Sequence, residues 1–136
     1  MGVFGSDGEE LMLKAIFGLT APFSITAGDI HVLGNSQYAS TFTEATSTYK
    51  VAEKENFTSW AWDSSLDPNS NSETGGIKNS ADLVLTATTA GTITHISIVD
   101  ETADKLLVSS KLGSQHTLAS GDTLTISNGS LKIEID

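Results

Sequence analysis

The side chains best equipped for chemistry are three histidines, His31, His95 and His116, and seventeen carboxylates in a chain of 136 residues. A histidine can act as a general base only beside a group worth deprotonating. There is no cysteine, and no serine sits in the strand-to-helix elbow that exposes a nucleophilic hydroxyl. His95 falls in a segment with the pattern of a central strand, where a packed, hydrogen-bonded ring is the ordinary expectation. No two histidines have the spacing of a zinc pair. Two carboxylates at the right separation can hydrolyse a glycosidic bond, but no signature selects two of the seventeen. Asp67, Asn69, Asn71 and Glu73 set oxygen ligands at alternate positions, as a calcium loop does, yet Ser72 and Lys78 stand where such a loop needs glycine and glutamate. A solvated turn is expected there, with calcium as the alternative. Gly75-Gly76 lacks the framing and the Lys-Ser/Thr pair of a phosphate loop. The expectation is a chain with no catalytic residue, no cofactor and no metal site.

Trp60 and Trp62 are two apart on a predicted strand and so share a face. Such a pair can stack on a sugar or anchor an interface, and it can equally fill a core.

Seventeen acids against seven lysines and no arginine leave a formal charge of −10. Phosphate recognition relies on guanidinium forks and clustered positive charge, so neither nucleic acid nor an anionic membrane is expected as a partner. No apolar run approaches a membrane span, and the acidic N-terminus has the wrong chemistry for a signal peptide. With 38% apolar residues the chain can support a core of its own, and its length suits a single domain. Residues 1–22 are expected to form an N-terminal helix or arm, and 23–136 a β-sandwich.

The patterning supplies these elements. Asp7 and Glu10 form a capping signature. Leu11, Ala15, Ile16 and Leu19 follow at helical spacing, widened by Met12 and Phe17, and Pro22 forbids continuation, which predicts one short helix over 8–19. Strands are expected at Ile30–Leu33, and at Tyr49–Val51 and Phe57–Trp62 around a polar turn at Glu53–Asn56. The Ser/Thr-rich stretch Gly34–Thr48 reads as a loop or edge segment, and Asp63–Gly76 as a surface loop. Leu83, Leu85 and Ala87 mark the apolar face of a further strand. Thr92–Val99 carries isoleucine on both faces and is expected to be central and covered twice. In Lys105–Leu112 the pattern places Leu106, Val108 and Leu112 on one side, with Asp100–Asp104 as the connection before it. Asn128-Gly129 suits a type I′ turn. The hairpin so formed would pair Ile126 with Leu131 and Leu124 with Ile133, putting all four on one face. Short strands separated by turn signals predict a mainly β fold, an antiparallel sandwich or jelly-roll-like arrangement with one short N-terminal helix.

Several steps in fixed order resemble a family of short bacteriophage virion structural proteins, described as head decoration (cement), minor tail or tail-fibre proteins. They are Gly75-Gly76, Asn79-Ser80, Gly91-Thr92-Ile93-Thr94-His95-Ile96 with Asp100, Leu106-Leu107, Lys111-Leu112, Gly121-Asp122-Thr123-Leu124 and the ending Leu131–Asp136. The apolar N-terminal helix and the Tyr49-to-Val51 step fit as well. Ala90 stands where the family often has tryptophan, and Lys50 where arginine is common. The resemblance implies a place in a virion, without separating head from tail. The leading expectation is a capsid decoration or cement protein on the outer shell, bracing major capsid subunits as a closed homo-oligomer such as a trimer. The alternative is a tail or tail-fibre component acting in assembly or host attachment. Leu11, Ile16, Phe17, Leu19, Trp60 and Trp62 are the candidate interface residues.

Overall fold

The computed structural model describes residues 29–63 and 76–134, together with Phe17. Among the described residues nine strands form two sheets: β1 (Ile30–Asn35), β2 (Lys50–Lys54), β3 (Trp60–Asp63), β4 (Gly76–Asn79), β5 (Leu83–Ala87), β6 (Gly91–Asp100), β7 (Lys105–Leu118), β8 (Thr123–Ile126) and β9 (Lys132–Glu134). Six make a sheet in the order β7-β6-β1-β2-β5-β8, and three a smaller one in the order β3-β4-β9. Every pairing is antiparallel. The fold is mainly β, as expected. Apart from Phe17, the predicted helix over 8–19 and the body of the 63–76 loop, with its calcium alternative, lie outside the described residues.

The core explains the patterning. One cluster on the large sheet gathers Val32, Phe57, Leu83, Leu85, Ile96 and Ile98, and Trp60, Leu131 and Ile133 close over it from β3, β9 and the turn before β9. A second, smaller cluster holds Leu33, Val99 and Leu106, with Ala39 and Ala45 against them and Phe42 and Tyr49 at its margin. Val32 and Leu33 are consecutive and belong to different clusters, so β1 is covered on both faces. The same holds for β6, whose last five residues, Ile96 to Asp100, are all buried. That double cover is what the isoleucines on both faces of this strand predicted. In β5 the expected alternation is complete, with Leu83, Leu85 and Ala87 buried and Val84 and Thr86 exposed.

Gly34–Thr48 is neither a plain loop nor an edge. It carries a short helical turn, Glu44–Thr48, closed by the Tyr49 N–H donating to the Glu44 carbonyl at 2.9 Å. Ala45 is its buried residue, and Asn35 Nδ2 donates to the Ala45 carbonyl at 2.7 Å, tying the turn to the end of β1. Thr and Ser favour caps and turns, which hid this helix in the sequence. Thr46 and Ser47 here donate back to the carbonyls of Phe42 and Thr43, each at 2.8 Å, a pattern that a helix tolerates.

Two further expectations are corrected. Leu106 does not share a side with Val108 and Leu112: it belongs to the smaller cluster, and they face the larger one. The register between β6 and β7 slips between Ile98 and Val99, and one unpaired residue, Leu107, inverts the faces that follow. The hairpin at Asn128-Gly129 does not form either. β8 pairs with β5 in the large sheet, whereas β9 pairs with β4 in the small one. Only Gly129 of the two turn residues has positive φ, at 77°, and a type I′ turn needs both. The chain turns and changes sheet. Leu124, Ile126, Leu131 and Ile133 nevertheless all pack on the same core, so the faces were read correctly and the partners were not.

Asn79 holds that change of sheet in place. Its buried side chain donates through Nδ2 to the carbonyls of Ala81 at 2.8 Å and Ser127 at 2.9 Å, and its Oδ1 accepts from the Leu131 N–H at 2.9 Å. Its backbone N–H and carbonyl bond Leu131 and Gly129 in turn. A single amide thus supplies the hydrogen bonds that a β8–β9 ladder would have made.

Candidate interaction site

β3 is only four residues long, and its two tryptophans fare differently. Trp60 packs on the core. It meets Phe57 edge-on at 5.0 Å, and its Nε1 donates to the Phe57 carbonyl at 3.0 Å. Its apolar body is thereby covered and its polar handle satisfied. Trp62 is 63% exposed. It lies opposite Ile77, and Ile77 lies opposite Ile133. Directly opposed residues share a face, so one row runs from Trp62 across the small sheet to Ile133. On the other face of β3, Asp63 and Lys78 form an ion pair at 2.7 Å.

That row leads into a groove. Ile96, Ile98 and Val108 of the large sheet form one wall, and Leu131 and Ile133 the other. The space measures about 450 Å³, within the range of about 300–1,000 Å³ that binding clefts occupy. Leu112 borders it because β7 bulges there: Ile93 pairs with His116 but His95 with Lys111, leaving extra residues on β7. Two exposed lysines, Lys111 and Lys132, stand at its margin. Lys50 and Lys78 are held in ion pairs with Glu53 and Asp63. Lys111 and Lys132 form no ion pair among the described residues. Lys111 lies opposite His95 and Lys132 opposite Lys78, on the sheet faces turned away from Ile96 and Ile133, so what lines the trough with side chains is chiefly apolar.

A second hollow, about 280 Å³, is polar and lined by His31, Thr46, Lys50, Glu53, Glu55 and Glu101, with Leu33 at its base. His31 Nδ1 stands 4.0 Å from Glu101 Oε2, and Lys50 Nζ donates to Glu53 Oε2 at 2.8 Å. Among the described residues no three His, Cys, Asp or Glu side chains are grouped to hold a metal ion.

The histidines are separate. His95 lies in β6 with its Nδ1 at 2.7 Å from Thr94 Oγ1 and Tyr38 edge-on at 6.2 Å. Burial holds its pKa below the ordinary imidazole value, and the charge of Lys111 pushes the same way. His116 Nε2 stands 3.3 Å from Ser114 Oγ. Of the residues expected at an interface, Trp62 and Phe17 are exposed, Phe17 at 72%, and Trp60 belongs to the core. Leu11, Ile16 and Leu19 lie outside the described residues. The apolar groove was not anticipated, because it lies between two sheets whose pairing the sequence did not reveal.

A family model described as Podophage GP4 fiber I protein gp80 matches residues 20–134. No curated protein matches the chain.

Proposed function

The chain belongs to this podophage fibre-protein family, a family of phage virion structural proteins, and from that membership we propose that it is a non-catalytic subunit of the tail fibre. The carrying observation is the reach of the match, which takes in both sheets and the turn that joins them. The features that suggested a capsid cement, namely small size, a β-rich fold and an acidic surface, suit a fibre subunit equally well, and the family description names a fibre. We take the small sheet closing over one face of the large one as a sandwich-like body, with the apolar groove and Trp62 as its contact surfaces. The role is contact between virion subunits, with copies of itself as the first partner.

Quantitative protein staining of purified particles, scaled against the major capsid protein, tests this reading. A fibre subunit is expected at a few per hundred capsid subunits. A ratio near one, or a simple fraction of it, would return the protein to the shell and revive the cement reading.

Host attachment is a second role, favoured by one observation: Trp62 is a large aromatic side chain left 63% exposed. Indole faces stack on sugars and anchor interfaces. Trp62→Ala is expected to slow particle adsorption to host cells at least tenfold while leaving the unfolding midpoint of the isolated protein unchanged. Adsorption at the wild-type rate would rule this role out.

A further inference from the structure

We propose that Asn128-Gly129 is a deamidation site that the folded joint between the sheets holds closed, so that loss of the Asn128 amide both follows and fixes the opening of that joint. The proposal does not rest on the fibre reading. Asparagine followed by glycine is the pair most open to this reaction, because no side chain on the second residue hinders the approach of its nitrogen. The Gly129 nitrogen gives up its proton and bonds to the side-chain carbon Cγ of Asn128, closing a cyclic imide. The Asn128 side-chain nitrogen takes up a proton and leaves as ammonia. Water then opens the ring at either carbonyl, which leaves aspartate or isoaspartate at position 128. Asn128 is exposed, so solvent supplies that water.

The joint opposes the first step. The Gly129 N–H donates to the Asn79 carbonyl at 2.8 Å, so the proton that must leave is held by β4. The Asn128 N–H donates to Asp82 Oδ1 at 2.8 Å, which anchors the residue whose carbon is attacked. That carboxylate also disfavours negative charge building on the next backbone nitrogen. The Ser130 N–H, donating to the Ser127 carbonyl at 3.0 Å, closes the turn around both residues. Reaction therefore waits for these bonds to part in a local opening. Once it has occurred, the joint does not re-form as before. Isoaspartate lengthens the main chain and draws the Gly129 N–H away from Asn79. Aspartate sets a second carboxylate beside Asp82, and like charges at such a distance repel.

The test keeps the full-length chain in warm, mildly alkaline buffer and follows position 128 by peptide mass mapping. A synthetic peptide of residues 124–133 in the same buffer gives the rate without the fold. The folded chain is expected to react at least about tenfold more slowly than the peptide. Asp82→Ala frees the Asn128 N–H and removes the neighbouring charge, and should speed the reaction at least about threefold with unchanged circular dichroism. If that variant fails to fold, Asp82→Asn removes the charge while keeping an acceptor oxygen, and the rate is again expected to rise. Asn128→Asp makes the aspartate product directly; its unfolding midpoint should fall, and fall less in the Asp82→Asn background. A peptide that keeps its amide, or a folded chain that reacts as fast as the peptide, would overturn the proposal. So would a folded Asp82 variant that reacts at the wild-type rate, or an Asn128→Asp chain with the wild-type midpoint.

Discussion

Asn79 is the residue on which the joint between the two sheets depends. Three side-chain hydrogen bonds at 2.8–2.9 Å connect it to Ala81, Ser127 and Leu131, each with a net value of about 0.5–1.5 kcal/mol. Asn79→Ala is expected to cost about 2–4 kcal/mol in urea denaturation, and a loss under about 1 kcal/mol would mean the turn holds itself. Gly34 shows a different dependence. A Cβ there would stand 2.6 Å from Ile93 Cδ1 and 3.1 Å from its Cγ1, inside a closed core. Gly34→Ala is expected to destabilise by about 1–3 kcal/mol, and Ile93→Val, which removes Cδ1, recovers part of that loss. Strict additivity of the two changes would exclude the contact. His95 introduces a pH dependence. Its folded pKa lies below the ordinary 6.5, so its contribution is complete above that value. As the pH falls below it, the unfolded chain takes up a proton that the folded chain resists, and stability declines until the folded ring also titrates. The unfolding midpoint of His95→Gln is expected to vary less with pH than that of the wild type across this window, and identical slopes would contradict the assignment. The sequence placed His95 on a central strand and Asn79 among the steps of the family resemblance, but the structural role of neither Asn79 nor Gly34 could be read from it. Each matters through a residue distant in the chain, and a local pattern carries no record of that.

At the scale of elements, hydrophobic phase was legible and pairing was not. Alternation named the buried face of β5, the double cover of β6 and the inward side of Leu124, Ile126, Leu131 and Ile133. Burial depends on a side chain's own character, which the sequence states directly. Which strand lies next to which depends on hydrogen bonds between segments, and Asn128-Gly129 suits more than one outcome. The local hairpin lost because Asn79 caps the turn from another strand and β5 offers β8 a full four-residue register. Register slips are equally silent. The bulge that separates Leu106 from Val108 adds one residue to β7, and the bulge after Lys111 brings Leu112 to the groove. The first carries no glycine or proline to announce it, and the second holds Gly113, which the sequence reading did not single out. The helical turn at Glu44–Thr48 was hidden by its Ser/Thr content. Glu44 accepts from the N–H and hydroxyl of Ser40 at 2.7 and 2.8 Å, and these bonds hold its pKa below the ordinary carboxylate value.

For the whole molecule, the acidic balance and the absence of arginine argue against nucleic acid and anionic membranes as partners without naming another. The resemblance in the C-terminal half pointed to a virion, and the family match over residues 20–134 identifies a fibre-protein family. The cement expectation arose because size, β content and charge are common to many virion subunits. What these gross properties conceal is a local asymmetry: an apolar groove, an exposed Trp62 and an exposed Phe17 on a chain with a charge of −10. The most direct test of the central claim is electron microscopy of intact particles labelled with gold-conjugated antibody against this chain. Gold is expected along the tail fibres and absent from the head. Gold spread evenly over the capsid surface, with bare fibres, would contradict it.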